Sequence, residues 1–154
     1  WKVSTGADRY RRSLYTFNKR TSPFAAYTTF DAPTGENCIV RRNRSNTPLQ
    51  ALTLLNDEMF LEMARALADR VMHAPVESAA ARAQLLFRSL LTRPASQEEL
   101  ATILAFREKQ LKRLQDGELQ AAQIAGKKQP DAELASWVMV ARTLMNLDET
   151  ITRH

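Results

Sequence analysis

An all-α fold is what this sequence predicts, and three observations carry the prediction. Only 4 Gly and 6 Pro stand among 154 residues, and Ala, Leu, Arg, Glu and Gln are plentiful, which favours helix over sheet. Apolar residues recur at spacings of three and four along most of the chain, the period of one helix face. Prolines and hydroxyl caps punctuate the pattern at the places where helices start and stop. The expected architecture is four main helices, preceded by a short N-terminal helix and a long structured polar loop. All of it belongs to a single domain over residues 1–154.

The elements follow in order. Asp8 opens a short helical pattern carrying Tyr10, Leu14 and Phe17, with basic residues opposite and Pro23 closing it. Residues 21 to 46 lack helical periodicity, and Pro33-Thr34-Gly35 reads as a turn. Thr47-Pro48 is a helix start, a hydroxyl at the N-cap with proline at N1. Leu49, Leu52, Leu55, Met59, Met63, Leu67 and Val71 then make one apolar stripe to about Met72, before Pro75. A second long pattern turns Leu86, Phe87, Leu90 and Leu91 inward and ends before Pro94. Ser96-Gln97-Glu98-Glu99 is a capping box, opening a helix with Leu100, Ile103, Leu104, Leu111 and Leu114 on its core face. Asp116-Gly117 is its stop. Residues 117 to 131 are polar and read mainly as a mobile loop. The last helix runs from about Asp131 to Thr150, using Leu134, Trp137, Val138, Ala141, Leu144 and Met145.

Composition narrows the function classes. The apolar fraction of 44% and charged fraction of 25% are those of an ordinary globular chain with a core. No apolar run approaches the length of a membrane-spanning helix. The one cysteine, Cys38, has no intrachain disulfide partner, and with only His73 and His154 beside it a transition-metal site has little support. No CxxCH occurs, so no haem is attached covalently within this chain, and no cofactor is expected. Charge is uneven: residues 1 to 50 hold nine Lys or Arg against three Asp or Glu, and the remainder is close to neutral. That asymmetry points toward an anionic partner. Nucleic acid gains only from this net charge, because no recognition motif or aromatic-basic interleaving is present.

The stretch from Thr28 to Asp57 is the richest in specific polar groups. Arg41, Arg42 and Arg44 lie just before a helix N-terminus, whose free N–H groups attract anions. Their guanidinium groups add bidentate recognition of carboxylate, sulfate or phosphate, and Asn46 completes the candidate ligand-binding set. The competing reading is structural. Asp148 falls on the apolar stripe of the last helix, where an unpaired carboxylate is costly, so a cation from the arginine loop should meet it. Asp57 can share that role. A polar hub of Asp31, Glu36, Asp57 and Asp148 would then join the loop to two helices. Asp31 with Glu36 as an acid/base pair is a weak signal, since an Asp before Ala-Pro more often caps a turn. Cys38 lacks a neighbouring base and reads as a small packing residue. No catalytic residue is assigned. Asn43-Arg44-Ser45 matches the glycosylation sequon, a pattern too common by chance to carry weight. Trp137 and Phe87 stand at core spacing.

Several segments together resemble a known family. Arg12-Ser13-Leu14-Tyr15-Thr16-Phe17 with Lys19-Arg20, then TTFDAP, then CIVRRNRSNTPLQALTLLND, then LLTRPASQEEL and the closing WVMVARTLMNLDETITRH are similar to the C-terminal domain of large planctomycete proteins called domain of unknown function 1553. Asn18 departs from a bulky aromatic expected there, and Asn37-Cys38 varies a more usual hydrophobic-Cys pair. The resemblance implies a multidomain, exported protein that also carries a cytochrome-c-like domain, hence an extracytoplasmic setting. It brings no established catalytic residue. The chain, which opens on Trp1 without an initiator Met, reads as a fragment of that larger protein. Its expected role is a non-catalytic helical module that docks neighbouring domains or binds an anionic ligand, for example an anionic glycan. The alternative is one part of an extracytoplasmic enzyme, for polysaccharide hydrolysis or haem-linked redox chemistry, whose site is completed by other domains.

Overall fold

A computed structural model describes residues 6, 10–17, 19, 21, 23–41, 43–129 and 131–152, and among them there are helices and turns but no β-strand. The all-α expectation is met. The chain divides into two compact units, Trp1–Ser45 and Asn46–His154.

The first unit is mostly irregular. Where a short helical pattern opening at Asp8 and closed by Pro23 is expected, the described residues show 3-10 conformation at Tyr10 and in the turn Ser13–Tyr15 but no α-helix before Ala25. Tyr10, Leu14 and Phe17 are exposed rather than aligned on a buried face. So short a segment gains too little from backbone bonding to hold a helix without a core to pack on, and no described residue of this unit is buried. Conversely, the segment expected to be loop contains the helix α1, Ala25–Thr29. The hydroxyls of Thr28 and Thr29 each donate to the Ala25 carbonyl at 3.0 Å, and Phe24 meets Tyr27 edge to face at 5.4 Å. The Tyr27 hydroxyl also hydrogen-bonds Thr16 Oγ1.

The second unit holds the core. The expected helix from Pro48 to Met72 is two helices, α2 (Pro48–Asn56) and α3 (Glu58–Met72). Asp57 separates them with an extended backbone (φ −71°, ψ 133°), and its carboxylate accepts from Met59 N at 2.9 Å. An aspartate satisfies free helix amides best from outside the helix, so this cap starts a new one. The break also resets the register. α2 buries Gln50 and Leu54, α3 buries Ala64, Ala68 and Val71, and the stripe members Leu49, Leu52 and Met63 are exposed.

α4 (Ala79–Leu91) starts on Ser78 and ends on Thr92 in the left-handed region. α5 (Gln97–Gln115) carries the expected capping box, with Glu99 N donating to Ser96 Oγ at 3.2 Å and Ser96 N donating to Glu99 Oε2 at 2.7 Å. It stops at Asp116-Gly117 as expected, with Gly117 at φ 76°. The segment expected to be a mobile loop includes α6 (Ala121–Ala125), whose Ala121 and Ala125 are buried. Two alanines give almost no periodic signal, yet their small size lets the segment lie close on α7 (Ala132–Met145).

α7 is the central helix: nine of its fourteen residues are buried, and it packs against α2, α3, α4, α5 and α6. A helix apolar on all sides must be surrounded. Trp137 and Phe87 are both core residues, as their spacing predicts. The expected last helix is also broken. α7 ends at Met145, Leu147 is extended, and a four-residue helix α8 (Asp148–Ile151) follows. No helix among the described residues is long and apolar enough to cross a membrane.

Candidate functional site

The polar stretch from Thr28 to Asp57 divides between the two units, and in each, hydrogen bonds serve loop ends and helix caps. In the first unit, Asp31 adopts φ 55°, a left-handed conformation that Asp tolerates better than most residues. Its Oδ2 accepts from Ser45 N at 2.9 Å and from Ser45 Oγ at 2.6 Å, stapling the two ends of the 31–45 loop. Within that loop Glu36, Cys38, Ile39, Val40, Arg41 and Arg44 are exposed. Arg42 lies outside the described residues. Glu36 also borders a hollow of about 110 Å³ with Pro23, Tyr27, Thr28, Ala32, Pro33 and Thr34, small beside the ~300 Å³ or more of typical small-molecule sites.

In the second unit, Asn46 Nδ2 donates to Asp148 Oδ1 at 2.6 Å, tying the start of α2 to α8. Thr47 and the buried Gln50 form a reciprocal capping box: Thr47 N donates to Gln50 Oε1 at 3.0 Å and Gln50 N to Thr47 Oγ1 at 3.3 Å. Asn56 Nδ2 donates to the Leu52 carbonyl at 2.8 Å, and Asp57 caps α3. Asp148 is exposed in the first turn of α8, not on a buried stripe. The break at Leu147 rotates it out of the α7 register, and the Thr152 hydroxyl donates to the same Oδ1 at 2.9 Å. The structure thus pairs Asp31 with Ser45 and Asp148 with Asn46, and commits Asp57 to its own helix.

The second unit also holds arginine clamps that local sequence reasoning passes over. Arg93, in the α4–α5 connection, spans two glutamates. Its Nε and Nη2 donate to Glu149 at 2.7 and 2.6 Å, and its Nη1 and Nη2 donate to Glu99 at 3.0 and 2.7 Å. The guanidinium also stacks over Phe87, 4.8 Å from the ring centroid. Its bonds to Glu149, then to Glu99, raise its affinity for the proton above the ordinary arginine value. The same contact with Arg93, followed by the Ser96 N–H, holds the Glu99 carboxyl down at about 2. Arg65 on α3 donates to the carbonyls of Ile124 and Gln123, covering the C-terminal end of α6. Arg142 on α7 donates to the Leu55 carbonyl in the last turn of α2. These arginines cover helix ends whose carbonyls have no partner within the helix. Ser96-x-x-Glu99 with an arginine six residues before the glutamate is a local signal for one arm of the Arg93 clamp. The Glu149 arm lies 56 residues from Arg93 and leaves no mark in the local sequence.

Fold and polar clamps together define a helical module whose second unit sets Arg65 and Arg142 on helix-end carbonyls and Arg93 between two glutamates. The chain belongs to the PSD1 family, proteins of unknown function (DUF1553), whose family model matches residues 1–107. That match reaches from the first unit through most of α5, while α7 and the closing segment lie beyond it. No curated protein and no solved structure matches the chain.

Proposed function

We propose that the chain is a non-catalytic docking module of a larger, extracytoplasmic multidomain protein, in which exposed apolar side chains of the first unit and, separately, of α2 in the second meet neighbouring domains. One observation carries this reading. Of the eleven large hydrophobic residues exposed among the described residues, nine fall between Tyr10 and Leu52. They include Leu14, Phe17, Phe24, Val40, Leu49 and Leu52. Exposed apolar groups scattered singly need no explanation, but seven of these nine belong to the first unit, and in the second unit Leu49 and Leu52 stand three residues apart on one face of α2. The core of the second unit is complete without them. The exported, multidomain setting rests on the family resemblance.

The test is binding in trans. The chain and the separately produced remainder of the parent protein are mixed and followed by calorimetry, with wild type compared with Leu49→Ser/Leu52→Ser. Measurable wild-type binding that the double variant loses supports docking. Equal binding by both proteins, or none by either, refutes it.

A second reading, an anionic glycan held by Arg41, Arg42 and Arg44, is favoured by the exposure of Arg41 and Arg44 beside exposed Ile39 and Val40. Binding of a sulfated oligosaccharide that falls steeply with salt and is lost in Arg41→Ala/Arg44→Ala would support it. Identical binding by wild type and variant would remove it.

A further inference from the structure

Among the described residues, the densest concentration of unsatisfied donors lies in the second unit. Arg82 stands in the first turn of α4, Arg107 in the middle of α5, and Glu133 and Trp137 one turn apart on α7. Both guanidinium groups face one carboxylate oxygen. Arg107 Nη2 donates to Glu133 Oε1, and Arg82 Nη1 lies 3.9 Å from the same atom, too far for a hydrogen bond. Arg107 Cζ also stands over the Trp137 ring, 4.7 Å from its centroid.

Three N–H groups in this cluster are buried without an acceptor among the described residues: Arg82 Nε, Arg107 Nε and the indole Nε1 of Trp137. Trp137 is fully buried, and the arginine side chains are 22% and 12% exposed. Buried donors without partners are rare and costly. Charge is unbalanced too. Glu133 is the one carboxylate within 4 Å of either guanidinium among the described residues, so two cations share one anion. Arg82 adds its charge at the N-terminal end of a helix, where the dipole is already positive.

We propose that Arg82 and Arg107, with the Trp137 indole beneath Arg107, bind a small carboxylate. A monoanion neutralises the single excess charge, whereas sulfate or phosphate would overshoot it. A carboxylate also matches the planar fork of guanidinium N–H groups. Glu133 orients Arg107 and competes with the ligand for it.

The test uses the full chain with Trp1→Phe, which leaves Trp137 as the remaining tryptophan. Acetate, sulfate and chloride are titrated at constant ionic strength, reading Trp137 emission and melting temperature. Acetate should give a saturable emission change and a rise in melting temperature. Arg82→Met, which leaves the Arg107–Glu133 pair intact, should abolish both, and Arg82→Lys should weaken them if the methionine variant does not fold. Glu133→Gln, which frees the second guanidinium, should tighten acetate by about tenfold. Preference for sulfate, a response identical in wild type and the Arg82 variants, or no saturation by acetate would overturn the proposal and leave the donors to water.

Discussion

Arg65 Nε lies 2.8 Å from the position that a Cβ on residue 126 would occupy, and residue 126 is glycine. The same Nε donates to the Ile124 carbonyl at 2.9 Å, and Gly126 ends α6 at φ 68°. The glycine therefore serves twice. It supplies the left-handed cap and leaves room for the guanidinium that covers the α6 carbonyls.

Gly126→Ala should destabilise the protein by about 1–3 kcal/mol, from left-handed strain and displacement of Arg65. Arg65→Ala should cost a similar amount, and the double variant less than the two single effects summed, because the clash needs both side chains. Urea midpoints of the four proteins decide it, and full additivity would break the coupling.

The clamp at Arg93 makes stability depend on acid. Glu99 titrates at about 2 in the folded chain, below the ordinary carboxylate range. Its contribution is therefore complete above the unfolded pKa, near 4.5, and is lost as pH falls through about 2. Wild type should lose its advantage over Glu99→Gln across that interval in urea melts at stepped pH. Because the groups are partly exposed, added salt should shrink the difference. A difference between the two proteins that does not change with pH would contradict the clamp.

Asp57 separates α2 from α3 by capping the second helix. Asp57→Ala should cost about 1 kcal/mol, while Asp57→Asn, an equally good cap, should cost only a fraction of that. Denaturant unfolding distinguishes them, and equal losses would assign the effect to charge rather than to the cap.

Asp31 staples its loop through both the amide and the hydroxyl of Ser45. In Asp31→Ala, trypsin should cut after Arg41 and Arg44 faster than in wild type, since loosening the staple opens the loop. The melting of the second unit should stay unchanged, because every buried residue described lies there. Unchanged cleavage would mean that Ser45 does not hold the loop.

How much of this was legible depends on whether the signal is local. Ser96 and Glu99, Thr47 and Pro48, and Asp116-Gly117 announced helix ends correctly, because caps bond amides three residues away. The apolar ring around α7 was equally readable, since Trp137, Val138, Ala141, Leu144 and Met145 all point inward. Asp57 was visible as a polar residue but not as a break, because the apolar spacing continues through it and periodicity alone does not register one extended residue. The same holds at Leu147, so the periodicity puts Asp148 on a stripe it does not share.

The sequence by itself determined the helical class, the caps at Thr47 and Ser96 and the inward residues of the long helix α7, all properties of neighbours within one or two turns. The tertiary structure alone decided which arginines are spent inside the second unit. Arg93 reaching Glu149, Arg142 reaching Leu55 and Arg82 sharing Glu133 with Arg107 join helices far apart in the chain. A charge carries no periodicity that foretells its partner, and only packing brings the two together.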